Sequence, residues 1–523
     1  MSALNDALLL AIDCGTQSVR ALLFDLQGNL VAKSQIGLDG YTVPQPGWHE
    51  YDADALWQSA AKACQQLWQT HGPQRARVRG VAVTTQRGTI LPIGADGQAL
   101  YPAITWLDQR KAMQLPPIGA LWSALFRLAG ASSIIRHIQG EAEANWWAAE
   151  RPEIWSRTHK LLLVSGLFNW KLTGRFVDSA GSQVAYLPFD FKKHAWAANI
   201  DWKWQAIAAR REQLPELQPV GAQLGSVSAE AAQATGIPAG LPVIAGAADK
   251  ACEVLGAGCT EPHQGALSYG TTATINVCTP RYFEALPFSP AYPAAMPGRY
   301  NCEVQIFRGY WMVRWFKEQF GHLESQASER QGVTPEALFD AMVNTVPAGS
   351  MGLMLQPYWS PGVRVPGPDA KGAVIGFGDT HTRAHLYRAI LEGLAYALRE
   401  GRERIEHKSR MPIRELRISG GGSQSDAAMQ LTADIFNLST GRPHTYETAG
   451  LGAAIACAVG LKLHADFPTA VRAMTRVARR FEPLAANVRL YDELFRRVYR
   501  RMYQRLTPLY SEIQRITGYP KLD

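Results

Sequence analysis

The chain has no cysteine pair at metal or redox spacing. Its seven cysteines, Cys14, Cys64, Cys252, Cys259, Cys278, Cys302 and Cys457, are scattered, and none forms a C-x-x-C. Neither a zinc cluster nor a disulfide framework is therefore indicated, and free buried thiols in a reducing compartment are the expectation. The common nucleotide signatures are missing too. The glycine run at 420–422 is not a G-x-G-x-x-G, and no Gly-Lys-Ser/Thr ending makes it a P-loop. The quietest apolar stretch, residues 450–461, is too short to span a bilayer. The apolar residues 7–12 have no basic flank and end at Asp13, so they read as a strand and not as a secretory leader. A cytoplasmic protein with no membrane partner is expected. Low-complexity segments and long linkers are also absent.

What is present is an ordinary globular composition: 523 residues, 47% hydrophobic and 19% charged. That length suggests two or more units with ample core material. The formal charge is +8, and much of the excess lies in Arg472, Arg476, Arg479, Arg480, Arg489, Arg496, Arg497, Arg500, Arg501 and Arg505. These could form a nucleic-acid patch or the solvated face of a terminal helix. Leu490, Leu494, Val498 and Met502 recur between them at helical spacing, and no nucleic-acid module accompanies them, which favours the helix and no nucleic-acid partner.

Residues 8–12, 19–26 and 30–36 read as strands, the last two joined at the turn Gln27-Gly28-Asn29. Residues 52–71 show helical periodicity, 78–84 read as a strand, and the Trp-rich interval 110–240 reads as mostly helical. Strands are expected again at 241–246, 266–269 and 273–278. Two Gly-Thr turns thus sit between strands in the two halves, suggesting similar architectures that face one ligand. The best boundary lies near 259–264, where Gly, Thr and Pro cluster.

Four segments carry chemistry. In Asp13-Cys14-Gly15-Thr16-Gln17-Ser18 a glycine permits a tight turn whose N–H groups converge on an anion, Thr16 and Ser18 add hydroxyls, and Asp13 is suited to magnesium. Gly270-Thr271-Thr272 is either an ordinary turn or a second phosphate loop facing the first. Ser419-Gly420-Gly421-Gly422-Ser423-Gln424-Ser425 follows a strand (415–418) and opens a helix, where backbone approaches a flat or anionic ligand closely, or simply packs. Asp249 follows a strand, as a helix N-cap or as the group that orients an alcohol and accepts its proton.

Together these segments resemble the FGGY family of carbohydrate kinases, of the actin, sugar-kinase and Hsp70 ATPase fold class. The resemblance covers nearly the whole chain in order: Asp13-Cys14-Gly15-Thr16, Pro46-Gly47-Trp48-His49-Glu50, Gln86-Arg87-Gly88-Thr89, Trp106-Leu107-Asp108-Gln109-Arg110, Leu172-Thr173-Gly174, Asp178, Asp249, Gly270-Thr271-Thr272, Gly372-Ala373-Val374-Ile375-Gly376-Phe377, Gly420–422, and Glu447-Thr448-Ala449-Gly450. It implies an α/β fold of two actin-like (ribonuclease H-like) domains with the active site in the cleft between them. The expected divisions are 1–260 for the sugar, 261–485 for ATP, and 486–523 as a helical extension packing on the body.

Carried over by position, Asp249 is the catalytic base. Gln86, Arg87, Gly88, Trp106, Asp249 and Lys250 line the sugar pocket. Gly15, Thr16, Gln17, Ser18, Gly270 and Thr271 face the ATP phosphates, and Gly421, Gly422, Gln424 and Ser425 lie near adenosine. Asp13 and Asp249 hold Mg2+. The partners implied are ATP and a small sugar or polyol, with a homodimer left open. Departures bear on the substrate. The lysine usual before the Trp-rich helix is missing from Glu141-Ala142-Glu143-Ala144-Asn145-Trp146-Trp147, a position read as structural. Gly88 removes the carboxylate that glycerol kinases carry there, and Lys250 stands where Asn or Gln is usual. A ketopentose such as xylulose, or a related ketose or polyol, is the expected substrate. An acidic sugar gripped by Arg87 and a silent sugar-binding regulator are the alternatives.

Overall fold

The computed structural model describes residues 6–286, 289–332, 335–360, 362 and 366–519. The ends of the expected first and last divisions, 1–5 and 520–523, lie outside them. Two mixed sheets dominate. The first begins with β1 (Leu8–Cys14), buried along its whole length, as a continuous apolar run at a sheet's centre requires. β2 (Ser18–Asp25) and β3 (Leu30–Gly37) fold back antiparallel beside it. Helix α1 (Ala53–His71) covers one face. Asp52 caps it by accepting from the Ala55 N–H, and Leu56, Ala60, Ala63 and Leu67 fall on one buried stripe. β4 (Val78–Thr85) then runs parallel to β1. β5 (Gln223–Ser226) and β6 (Pro242–Ile244) complete the order β5-β6-β4-β1-β2-β3.

Helix α2 (Asp249–Gly256) leaves β6 and leads into the second sheet. That sheet repeats the scheme. β7 (Gln264–Tyr269) and β8 (Ala273–Thr279) form a hairpin with both strands buried. The short β9 (Tyr292–Pro293) and β10 (Tyr300–Ile306) lie beyond β8. Helices α3 (Trp311–Phe320) and α4 (Arg383–Ser409) pack on this sheet. β11 (Glu415–Ser419) runs parallel to β7, followed by α5 (Asp426–Phe436), β12 (Ser439–Pro443), α6 (Thr448–Gly460) and β13 (Val477–Phe481). The order is β9-β10-β8-β7-β11-β12-β13. In each sheet three antiparallel strands are followed by two parallel to the first, and each Gly-Thr turn joins the same pair of strands.

The two halves meet through α2 and α6, the equivalent helices of the repeat. A Cβ on Gly256 would run into the Thr448 carbonyl, and one on Gly452 into the Cys252 carbonyl, so the helices touch backbone to backbone. Cys252, Leu255, Leu451, Ile455 and Cys457 belong to one buried cluster with residues of β1 and β2.

Two expectations need correction. The interval 110–240 is less helical than its composition suggests. It holds seven helices, but also six strands of two to four residues, among them Lys160–Leu163, which joins a small five-stranded sheet flanking the first half. At the C-terminus the helix pair α7 (Ala485–Leu494) and α8 (Arg500–Thr517), joined by a π turn, buries Tyr491, Phe495, Tyr499, Met502 and Tyr510. Of the expected stripe Met502 is buried and Leu494 and Val498 pack partly buried on the core, while Leu490 is exposed and the fully buried positions are largely aromatic. Arg496, Arg497 and Arg500 face outward and pair with Asp492, Glu493 and Glu403, as a solvated helix face does. The seven cysteines are buried free thiols. Among the described residues no helix is long and apolar enough to cross a membrane.

Candidate active site

A cleft of about 1600 Å³ opens between the two sheets. Its walls include Gly15, Thr16, Gln17 and Ser18 of the β1–β2 turn, Gln86, Arg87 and Gly88 after β4, Trp106, Asp249 and Lys250 at the start of α2, and Gly270 and Thr271 of the β7–β8 turn. Residues far apart in sequence meet here because equivalent strands of the repeat end at the same edge.

The first turn is closed by the Gly15 N–H, which donates to the Ser18 carbonyl at 3.0 Å. The Thr16 hydroxyl donates its proton to the Gln86 side chain at 3.1 Å and accepts from the Trp106 indole at 3.0 Å. Its single proton is thus spent, and it has none left for a phosphate. The turn can serve an anion through backbone N–H groups and through the Ser18 hydroxyl, which accepts from the Gln35 amide at 3.2 Å. In the second turn the carbonyls of Gly270 and Thr271 accept from the backbone of Tyr310 and Trp311, docking α3 onto the loop.

Gly88 has φ +64, and its N–H donates to the Val184 carbonyl at 3.0 Å. A Cβ there would stand 3.3 Å from that of Trp106. Glycine is thus favoured by the positive φ and by the tight approach of the Trp106 Cβ, and it does not simply mark an empty space for a substrate group.

Asp249 is the first residue of α2, not its cap; Ala248 takes the cap position without a side-chain bond. The segment before it is pinned by Thr84, whose hydroxyl donates to the Ala247 carbonyl, and by Ser179, which donates to that of Gly246. Burial pushes the Asp249 carboxyl above its ordinary value, against the pull of Lys250 and Arg87 and of the Lys250 N–H that it accepts at 2.7 Å. Such a carboxyl is a better proton acceptor than a solvated one.

Both cations beside Asp249 have partners. The Lys250 ammonium donates to Glu253 at 2.7 Å and to the Ser268 hydroxyl at 2.6 Å. Glu253 also accepts from Ser419 at 2.6 Å. Burial alone would raise the Glu253 carboxyl, but the Lys250 ammonium and these hydrogen bonds bring it below its usual value. Arg87 donates to Glu303 of β10 at 3.0 Å, and its guanidinium lies 5.2 Å from the centre of the Tyr292 ring. Composition and motif spacing did not point to Glu303, Tyr292 or Glu253. A signal existed in β10, where Asn301, Glu303 and Gln305 alternate with Cys302, Val304 and Ile306. One face of that strand is polar although the strand is buried.

Asp13, at the end of β1, is 3% exposed and lies behind the cleft wall. Burial raises its pKa to about 7, Arg20 lowers it, and the charges of Glu447, Asp249 and Glu253 push it up again. Arg20 bridges Asp13 and Glu447, each at 3.2 Å. No group of three or more potential metal-binding side chains occurs among the described residues. Magnesium, which keeps several waters and takes one or two carboxylates plus phosphate oxygens, does not need one. Asp13 and Asp249 are two buried acids whose proton affinities are raised, chiefly by burial, and a dication would relieve such a donor set.

Gly421, Gly422, Gln424 and Ser425 stand apart from the cleft lining, on the loop before α5. Gly422 is overlaid by the Tyr310 ring, itself stacked on Tyr269 at 4.3 Å. The start of α5 already holds an acid. Ser425 donates to Asp340, which also accepts from the Asp426 N–H at 2.8 Å. An anionic ligand group therefore meets a carboxylate there. Gly421, with open space around it, and the exposed Gln424 are what the loop offers a ligand.

Two further motifs form one buried cluster. Arg110 pairs with Glu50 at 2.8 Å and Asp108 at 2.7 Å, and lies 3.9 Å from the Trp48 ring. Asp108 also accepts from the His49 N–H at 2.6 Å. Asp178 is buried under Ser165, Asn169 and Gln183, with burial raising its pKa to about 6.

Comparison with known proteins agrees with this arrangement. The FGGY carbohydrate-kinase N-terminal domain matches residues 8–256, and the C-terminal domain of that family matches 265–461. The chain is 30% identical over 494 residues to the sugar kinase YgcE of Escherichia coli K12, covering 93% of this chain and 91% of that one. It is 29% identical over 502 residues to a xylulose kinase of Lactococcus lactis, covering 93% and 95%. Among solved structures, a xylulose kinase from Rhodospirillum rubrum superposes with a TM-score of 0.79 at 25% identity, covering 96% and 100%.

Proposed function

The chain belongs to the FGGY family of carbohydrate kinases, and on that premise we propose that it transfers the γ-phosphoryl group of ATP to a hydroxyl of a small neutral ketose or polyol, a ketopentose such as xylulose first among them. The observation that carries this reading is the convergence of both Gly-Thr turns and Asp249 on one cleft. The sugar is taken up on the side of Gln86, Arg87 and Trp106, in the half ending near residue 260. ATP is held mainly by the half spanning 261–485, with its phosphates between the turns and its adenosine toward Gly421, Gly422, Gln424 and Ser425.

In the reaction the sugar oxygen bonds to the γ-phosphorus while the bond from that phosphorus to the β–γ bridging oxygen breaks, releasing ADP. Asp249 orients the hydroxyl and accepts its proton. Asp13 and Asp249 would hold Mg2+, which neutralises charge developing on the phosphate oxygens when bound. Neutrality of the substrate is supported by the pairing of Lys250 with Glu253 and of Arg87 with Glu303. The acidic-sugar alternative needs those cations unpaired.

A coupled ADP-release screen across pentuloses, hexuloses, polyols and aldonates tests the proposal. Turnover of a neutral ketose or polyol is expected. Absence of sugar-dependent ADP release across the whole panel would overturn the kinase reading.

A further inference from the structure

Resting on the reading of this cleft as a sugar-kinase site, we propose that Glu303 is a specificity-determining residue: carried by the second half, it cancels the charge of Arg87 and closes the sugar subsite to anionic carbohydrates.

The charges around Asp249 sort into two pairs and a remainder. Lys250 is matched by Glu253, and Arg87 by Glu303. Asp249 is committed to the hydroxyl and to Mg2+, so neither cation is left unmatched for an arriving carboxylate, and Glu303 stands beside the guanidinium it would seek. A bidentate grip on a carboxylate needs two guanidinium nitrogens in parallel. One of them, Nη2 of Arg87, is already committed to Glu303 at 3.0 Å. A neutral sugar asks less. Its hydroxyl oxygens can accept from the remaining N–H groups of Arg87 without adding a second negative charge beside the first.

Glu303 is built into its wall. Its side chain is 4% exposed. It sits mid-strand on β10, opposite Asn276 of β8 in the ladder, so it cannot swing to solvent as a surface acid would. Its other oxygen, Oε2, is buried without a hydrogen-bond partner, as are the Asn276 Oδ1 and the Asn301 amide. These residues line a cavity of about 10 Å³ behind Arg87, room for about one water. A water there would serve the Glu303 Oε2 and leave Oε1 to Arg87. Because Arg87 and Glu303 belong to different halves, the filter is assembled only where the halves are apposed.

The test uses the full chain and measures kcat/KM, and competitive inhibition, for an aldonate and the neutral alditol of equal carbon number. In the wild type the aldonate is expected to bind at least about tenfold more weakly than the alditol. Glu303→Gln should raise the aldonate-to-alditol ratio about tenfold to a hundredfold, and Glu303→Asp should raise it far less. Adding Arg87→Met to Glu303→Gln should abolish the gain, because the guanidinium is what the aldonate then uses. Equal or tighter aldonate binding by the wild type overturns the proposal, as does an unchanged ratio in a Glu303→Gln protein with wild-type melting. Should that variant not fold, wild-type rejection of the aldonate is followed from low to high ionic strength. Buried charges are little screened by salt, so the ratio should hold as ionic strength rises, and loss of the rejection at moderate salt overturns the proposal. A chain that phosphorylates neutral sugars but shows no filter fails here alone. A chain that phosphorylates nothing fails at the level of the kinase reading.

Discussion

The indole N–H of Trp106 donates to the hydroxyl of Thr16 at 3.0 Å, tying the sugar wall directly to the first Gly-Thr turn. The same hydroxyl spends its proton on Gln86. Side chains expected on the two ligands thus hold one another, and a shift on one side is felt on the other.

Asp249→Asn should retain binding of ATP and sugar and lose about 10²–10⁴-fold in kcat, the usual worth of general-base assistance. Steady-state kinetics on whichever sugar the screen identifies decides this. A variant within about threefold of wild type would remove Asp249 from the role of base.

Glu143, which lines the cleft, supplies a pH signature readable in stability. Burial raises its pKa from 4.5 to about 8, with Glu141 and Asp108 adding to the rise and Arg110 opposing it. The folded chain therefore binds a proton that the unfolded chain has released, between about pH 4.5 and 8. Stability from this group is fully present below that window and is lost as pH rises through it. Glu143→Gln mimics the protonated form. It should melt close to wild type at pH 4.5 and at least about 2 °C higher at pH 9. Equal melting temperatures at pH 9 would contradict the assigned environment.

Arg110 is held more by structure than by ligand. Its side chain is 2% exposed between Glu50 and Asp108, themselves nearly as buried. Arg110→Met leaves two buried carboxylates without their cation and should destabilise the fold by about 3–5 kcal/mol. Arg110→Lys recovers the charge but not the fork, and should recover only part of the loss. Denaturant midpoints at constant slope would measure both.

The residues proposed for the sugar belong to the first half and those proposed for adenosine to the second, so the productive complex is expected to require closure, which also keeps water from the γ-phosphate. Small-angle scattering should show a smaller radius of gyration with sugar plus a non-hydrolysable ATP analogue than with either alone. Superimposable curves would contradict closure.

Much of this was legible in the sequence where one signal dominated. Residues 8–12 are a continuous apolar run suited to a central strand, and 273–278 alternate Ala273, Ile275 and Val277 with Thr274, Asn276 and Cys278 at the period of a strand. The turns Gly15-Thr16 and Gly270-Thr271 stood out because both sit between strands. Strands of two residues, such as Phe189–Asp190 and Ala195–Trp196, carry too little pattern to be seen among tryptophans that also suit helices. The terminal helix was legible and its face in part: Leu494, Val498 and Met502 pack inward, but Tyr491, Phe495 and Tyr499 at the same period take the deepest positions and leave Leu490 exposed. Pairings across the halves, Arg87 with Glu303 above all, depend on which side of a strand faces the cleft. A period-two pattern fixes the two faces but does not say which one looks where.

The glycine contacts between α2 and α6 bear on how the molecule moves. Where two helices touch backbone to backbone, nothing at the seam can compress, and little can slide without lifting one helix off the other. The halves must turn about this line as a pair of jaws turns about its pin. The two Gly-Thr turns lie out along the jaws, so a rotation too small to disturb packing at the pin is multiplied into a real displacement at the turns, while Asp249 stays with the pin at the start of α2. Gly452→Ala would then act as grit in the bearing, altering the rate of opening and closing from a site that touches no ligand.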